Sequence, residues 1–309
     1  MKICWLTLAL CSLALGADSD FNGKWNIHVA TERNRVWWLE VAGAGTTNLS
    51  GSFVGAPGGQ VDRIPEIRLD HGELTFVFRR DNDKLVQTYR AHLDQGKLAG
   101  VREVVSAGQA QPALSWTGIR APVIRDVDDG SWKPGKPVAL FNGKDTQGWH
   151  LLVPGLPGWQ VKDGNLVNLP QASDIVSDAK FWNFIARVEF RYGKGSNSGV
   201  ALRGRYEVQI HDNYGKPPDV HGTGALYSRI PPSVNASKPF GEWQDMEIRL
   251  VGMTVTIKLN GTTIIDHGKV EGPTAMTMDA DEDKPGPVAL QGDHGIVEFR
   301  KIEIVPLTR

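Results

Sequence analysis

The chain has 309 residues, with 34 Lys and Arg against 35 Asp and Glu and a formal net charge of −1. Its basic residues are dispersed, which excludes the charged footprint of a protein that tracks phosphate backbones, so no nucleic acid partner is expected. Its two cysteines, Cys4 and Cys11, both fall in an N-terminal apolar run. Beyond that run there is no disulfide and no cysteine metal site, and stability must come from burial.

Lys2, the apolar stretch 3–15 and the small Gly16 and Ala17 ahead of Asp18-Ser19-Asp20 read as a signal peptide over residues 1–17. The stretch is shorter than the roughly 20 residues of a membrane span. Leu10 before Cys11 is too bulky for lipoprotein processing. No second long apolar segment follows, so the expectation is a secreted or periplasmic protein with no transmembrane segment.

Residues 18–120 read as a small all-β accessory domain, a meander or barrel, with strands near 24–30, 36–41, 49–54, 73–79, 86–93 and 97–104. Leu74, Phe76 and Phe78 share one face in the period-2 pattern of a half-buried strand. Gly23-Lys24-Trp25 is similar to the G-x-W opening of lipocalin-type barrels, but three residues describe a core aromatic equally well, and no site is read there. Residues 121–137 are rich in Pro and Asp without periodicity and read as a linker.

Residues 138–309 form a second series of strands. Asp163-Gly164 and Asn260-Gly261 signal type I′ hairpins, which need positive φ at both central positions. Phe184, Ala186, Val188 and Phe190 alternate with polar partners, as do Val255, Ile257 and Leu259. Val297 and Phe299 are out of phase with Ile302 and Ile304, so a bulge is expected near Arg300 and Lys301. Many short strands and no helix able to cover a parallel sheet give an all-β fold of two packed antiparallel sheets, a jelly-roll-like sandwich.

In the stretch from Tyr206 to Asp212, alternation sets Tyr206, Val208 and Ile210 on one face and Glu207, Gln209 and His211 on the other. About half of such polar rows on sandwich strands are plain exterior. Asn197 and Arg203, Tyr227, and Trp243 with Gln244 cluster nearby in sequence and add donors, acceptors and aromatic surface. Sugar hydroxyls need paired polar groups while ring C–H faces pack on aromatics, so this mixture fits a carbohydrate. The acidic run Asp279, Asp281, Glu282 and Asp283 reads as a solvated, mobile loop without a calcium-loop pattern.

Several motifs then fall in a familiar order: Leu140-Phe141-Asn142-Gly143 with Gly148-Trp149, Asn197-Ser198-Gly199-Val200, Glu207-Val208-Gln209-Ile210, Thr223-Gly224-Ala225-Leu226-Tyr227, Gly241-Glu242-Trp243 and Leu259-Asn260-Gly261. With Gln291 and Asp293-His294-Gly295 near the end, the stretch 138–307 resembles the 3-keto-disaccharide hydrolase domain family. The resemblance implies a concanavalin-like jelly roll acting on glycosides already oxidised to a ketone at sugar carbon 3. Such a ketone acidifies the C2 proton, so a single base can start elimination of the anomeric substituent, and water adds back. Ordinary glycosidases instead need two carboxylates flanking the bond.

On that chemistry Glu207 or His294 is the base, unranked, with His211 a third candidate. Gln209, Arg203 or a divalent cation would hold the enolate oxygen. Asn197, Arg203, Gln209, Tyr227, Trp243 and Gln291 are the expected substrate contacts. No cofactor is required by the sequence, and a divalent cation stays open because Glu207, His211, His221 and His294 lack a diagnostic metal spacing. Gly292, between Gln291 and Asp293, departs from the family pattern and bears on the pose of His294. The expected partner is a small-molecule carbohydrate, with no protein partner evident. The alternative is a non-catalytic, lectin-like sugar-binding module on the same sandwich.

Overall fold

The computed structural model describes residues 17–29, 36–55 and 59–309. The expected signal segment up to Gly16, with both cysteines, and the end of the first expected strand at Ala30 lie outside the described residues. Among the described residues the structure is all β apart from one short 3-10 turn, Asp18–Phe21, and no helix is long and apolar enough to cross a membrane.

The N-terminal half is one antiparallel sheet. Its strands are β1 (Gly23–Val29), β2 (Val36–Ala42), β3 (Ser50–Val54), β4 (Asp62–Arg63), β5 (Glu66–Asp70), β6 (Glu73–Arg80), β7 (Leu85–Asp94), β8 (Lys97–Ser106), β9 (Gln109–Ala110) and β10 (Leu114–Arg120). They run in the order β4-β3-β2-β1-β10-β8-β7-β6-β5, with β9 added to β8. The two ends of that order, β4 and β5, are joined through Ile64 and Pro65 alone, so the sheet curls until its ends meet. Alternation turns Leu74, Phe76 and Phe78 inward to join Trp37, Phe53 and Tyr89 in one buried cluster. Phe76 stacks on Tyr89 with ring centres 4.6 Å apart. Trp25 is fully buried, donates its indole N–H to the Phe21 carbonyl at 3.0 Å and carries the Arg120 guanidinium 3.9 Å from its ring. It is a core aromatic, and aromatic rings fill the interior.

The C-terminal half is a sandwich. Its strands are β11 (Lys133–Pro134), β12 (Val138–Ala139), β13 (Trp149–Leu151), β14 (Trp159–Lys162), β15 (Asn165–Asn168), β16 (Ile175–Phe181) and β17 (Phe184–Tyr192), continuing with β18 (Asn197–Leu202), β19 (Tyr206–His211), β20 (Gln244–Val251), β21 (Thr254–Leu259), β22 (Thr262–Lys269), β23 (Gly286–Leu290) and β24 (Val297–Thr308). One sheet follows β14-β15-β24-β17-β20-β21-β22, with β11 and β12 also paired to β24. The facing sheet follows β13-β16-β23-β18-β19. Both hairpin signals are realised: φ is 52° and 77° at Asp163 and Gly164, and 50° and 81° at Asn260 and Gly261. Between β17 and β24 the register steps from Glu189 with Lys301 to Phe190 with Phe299, which makes Arg300 the extra residue of the expected bulge. That one insertion lets Val297, Phe299, Ile302 and Ile304 all reach the core.

The Pro- and Asp-rich stretch is strapped to the sandwich rather than free. Asp126 accepts from the Trp182 indole at 2.7 Å and from Asn183 Nδ2 at 2.8 Å. Asp128 accepts two hydrogen bonds from Arg249, at 2.7 and 2.8 Å. Lys133 and Pro134 then pair with the end of β24.

Candidate active site

β19 is the edge of the five-stranded sheet, and its outer edge is covered. Gly224, Ala225 and Tyr227 make backbone hydrogen bonds to Gln209 and Glu207, while the Glu207 N–H donates to Thr274 Oγ1 at 2.8 Å. Covering an edge satisfies its backbone and stops it from pairing with another chain. Along the strand, Tyr206, Val208 and Ile210 enter the sandwich core, which leaves Glu207, Gln209 and His211 on the opposite face. That polar row is no plain exterior: Glu207 is 2% exposed and Gln209 1%.

Neighbouring strands complete the face. β18 sets Asn197 opposite His211, Gly199 opposite Gln209 and Ala201 opposite Glu207. The Glu207 side chain leans across Gly199, where an added Cβ would come within 2.5 Å of Glu207 Oε1. Gln291 donates its backbone N–H to the Gly199 carbonyl at 3.1 Å on the other side. Four buried acceptor atoms on this face have no protein donor: Asn197 Oδ1, Glu207 Oε2, Gln209 Oε1 and Gln291 Oε1. Unpaired buried acceptors are costly in a folded protein, and several together mark a place where a ligand brings donors.

Burial pushes the Glu207 carboxyl up to about 8, and the charges of Asp174 and Asp293 push the same way. Asp174 accepts the Gly292 N–H at 3.0 Å, which ties it beside Gln291. A side chain at Gly292 would run into the carbonyls of Ala172 and Ser173, so the extra residue is a glycine because the backbone passes too closely for anything else. Tyr227 borders the site, its hydroxyl pushed up by burial and by Glu207, and its ring centre lies 5.0 Å from that of His221.

The expected site residues divide. Glu207, Gln209, Asn197 and Gln291 share one face, with Tyr227 beside them. His211 ends the same row, half buried, its Nδ1 3.2 Å from the His221 carbonyl. His294 stands at the rim, 53% exposed and paired through Nδ1 to Asp293, while its carbonyl accepts the Asn197 N–H.

Arg203 and Trp243 lie elsewhere, which corrects two expected substrate contacts. Arg203 is fully buried at the β18–β19 turn, stacked 3.8 Å over Trp182 and donating to the Trp182 carbonyl and to Asn183, so no substrate reaches it. Trp243 lies against Arg191 and Arg300 on the outer face of the larger sheet. The acidic run is also not simply solvated: Glu282 is 3% exposed, and Asp279 pairs with the buried Arg205 at 2.6 Å. Asp293 and Gly199, which fall in the motifs above but had no role assigned, complete the site together with Asp174, which stands in no motif of its own. Among the described residues no three His, Cys, Asp or Glu side chains gather as metal ligands.

A groove of about 860 Å³ lies far from this chemistry, on the outside of the N-terminal sheet. Two of its four arginines, Arg79 and Arg90, are paired with Glu66 and with Glu73 and Glu103, and among the described residues none of the buried polar atoms without a partner lies in its lining.

The structure is an antiparallel jelly-roll sandwich with a buried carboxylate among unsatisfied amide oxygens, and its family and relatives are of the glycosyl-hydrolase-like, carbohydrate-active kind. Residues 136–305, more than half of the 309, match the family described as the 3-keto-alpha-glucoside-1,2-lyase-like domain, and the chain belongs to that family. A 3-keto-disaccharide hydrolase of Bacteroides thetaiotaomicron is 25% identical over 169 residues, which are 42% of this chain and 58% of that protein. The chain thus spans less than two thirds of the length of that relative. A crystal structure of a candidate glycosyl hydrolase from Parabacteroides distasonis is 29% identical, with a TM-score of 0.50 over 60% of this chain and 91% of the other. A second from the same organism is 25% identical, with a TM-score of 0.46 over 56% and 94%.

Proposed function

We propose that the chain cleaves the glycosidic bond of 3-keto-glycosides or 3-keto-disaccharides outside the cytoplasm, with Glu207 as the base. The observation that carries this reading is the Glu207 carboxyl itself, dry, raised to about 8 and set among acceptors that await hydroxyl donors. A carboxylate of that basicity takes a carbon-bound proton far better than an ordinary one.

In the first step Glu207 removes the C2 proton and the electron pair passes into the C2–C3–O system as an enolate. The enolate collapses, the C3 ketone re-forms, and the C1–O bond to the aglycone breaks, leaving a C1–C2 double bond. Water adds at C1 while a proton returns to C2, which completes net hydrolysis. The amide groups of Gln209 and Gln291 are the neutral donors for the enolate oxygen, and Asn197 and Tyr227 position the sugar. The raised carboxyl suits this route because it passes the proton it took to the departing aglycone oxygen, and the proton that later reaches C2 comes from the added water.

The test is incubation of the full chain with a 3-keto-glucoside in deuterium oxide, following aglycone release and deuterium at C2. Release with C2 labelling is expected. Cleavage of the unoxidised glycoside without C2 exchange would replace elimination by direct displacement, and sugar binding without turnover would leave a binding module.

A further inference from the structure

The N-terminal sheet lies outside the stretch that carries the family match. Its interior is packed with aromatic rings, so it is no carrier of a ligand in a calyx. Its outside is unusual at one place. Alternation in β1 turns Trp25, Ile27 and Val29 inward, so Asn26 faces out, and Trp38 in β2 is paired with it. Outward residues should be wet, yet Asn26 is 0% and Trp38 3% exposed. The connection between β22 and β23, residues 270–285, covers them.

That connection is held from both sides. On the N-terminal side Asn26 Nδ2 donates to the Ala280 carbonyl at 3.2 Å and to Glu282 Oε2 at 2.5 Å. Gly272 lies so close to the Trp38 ring that a Cβ would come within 2.8 Å of it. Arg229 bridges the two halves, donating to the Gly59 carbonyl and, at 2.8 and 2.6 Å, to those of Glu271 and Pro273. On the other side Thr274 Oγ1 receives the Glu207 N–H, and Glu282 Oε1 receives the hydroxyl of Tyr206, the residue before Glu207, at 2.7 Å. Met276 packs with Val176, Ala201 and Ala289, the apolar floor beside Glu207.

We infer that the N-terminal sheet is a positioning element of the active site: the outer face of β1 and β2 clamps the 270–285 connection, which fixes the Glu207 backbone and keeps water from its carboxyl. Asn26 is the positioning residue that joins the two, acting through Glu282 and touching no substrate. This deepens the functional reading and rests on it for the reaction that the positioned carboxyl performs. The physical basis is preorganisation, since a reacting group is held to its geometry by a supporting shell.

The test uses the full chain with Asn26→Ala, which removes the donor, and with Asn26→Asp, which keeps the size and sets a second carboxylate against Glu282. Hydrogen exchange is read over 270–285 and 204–209, with β6 and β7 as the control. Exchange in the first two segments is expected to rise at least about tenfold while the control stays unchanged. The Glu207 carboxyl, followed by the isotope-labelled signal that Glu207→Gln abolishes, is expected to titrate about one unit lower as water enters. With a 3-keto-glucoside, kcat is expected to fall about tenfold with KM within about threefold. An unchanged connection and titration in both variants overturns the inference, as does a uniform rise in exchange over the whole chain. Exchange and titration are read without substrate, so an inactive parent protein sinks the functional reading alone.

Discussion

Glu207 keeps its proton through a range of pH in which an exposed glutamate has lost it, and two measurable consequences follow. As a base it must be ionised, so kcat/KM for a 3-keto-glucoside is expected to rise with pH and level off above about 8. Stability moves the opposite way. Between the ordinary value of 4.5 and about 8 the folded chain holds a proton that the unfolded chain has released, so unfolding free energy falls as pH rises through that window. The loss is complete above the folded value and is on the order of a few kcal/mol for a buried carboxyl. Glu207→Gln removes the ionisation. The variant is expected to lose turnover yet melt at a higher temperature than the parent at pH 8, with the difference shrinking towards pH 4, as read by calorimetry. A variant that melts lower at pH 8 would mean that the carboxylate is stabilised where it sits.

This residue was legible because strand alternation separates Glu207 from Tyr206 and Val208 without any knowledge of the fold. Asp174 and Asp293 were not legible as its neighbours: they sit 33 and 86 positions away and meet only through sheet order. Arg203 and Trp243 misled for the converse reason. Proximity in sequence to the polar row suggested proximity in space, but a tight turn sends Arg203 under Trp182, and Trp243 immediately precedes β20 of the other sheet.

At the scale of elements, β18 and β19 work as a pair only because Gly199 has no side chain. The Glu207 carboxyl occupies the space a Cβ would need. Gly199→Ala is expected to displace the carboxyl and cut kcat at least about tenfold, while costing only about 1–3 kcal/mol of stability as overpacking does. Steady-state kinetics beside a denaturation curve checks this, and wild-type kcat in the alanine variant would show that Glu207 has room to lean elsewhere. The strap is a second case. Asp128 is 5% exposed in its side chain and paired twice with Arg249, so Asp128→Ala leaves a partly buried guanidinium without its partner. A loss of about 1–3 kcal/mol by urea denaturation is expected.

Strand positions and both hairpins could be read from periodicity and turn chemistry. β5 and β10 were missed. β5 alternates but offers only two apolar residues, Ile67 and Leu69, and β10 shows its inward side as Leu114, Trp116 and Gly118, where glycine breaks the apolar pattern. That glycine packs against Leu98, with an added Cβ only 3.1 Å away, so the apparent break is a packing requirement.

Over the whole molecule, carboxylates gather at the site around Glu207. The charges of Asp174 and Asp293 both raise the Glu207 carboxyl, in addition to its burial. A 3-keto-glycoside carrying a uronate carboxyl is expected to react at least about tenfold more slowly in kcat/KM than its neutral counterpart, with the gap narrowing as salt is added. The two apolar cores are separate clusters, one within the N-terminal sheet and one between the sandwich sheets. Separate cores permit separate unfolding, and domain interfaces in one chain are commonly loose. Here the junction buries Asn26, Trp38 and Glu282, and Lys24 adds an ion pair to Glu271 at 3.6 Å. Opening that junction while either half stays folded wets the buried Trp38 ring and breaks the Asn26 hydrogen bonds, which favours joint unfolding. A single calorimetric transition with equal van't Hoff and calorimetric enthalpies is therefore expected for the parent chain, and Asn26→Asp, which sets like charges across the junction, is expected to split it in two. Two transitions in the parent would mean that the junction is weaker than its burial implies, because each half would then melt without waiting for the other.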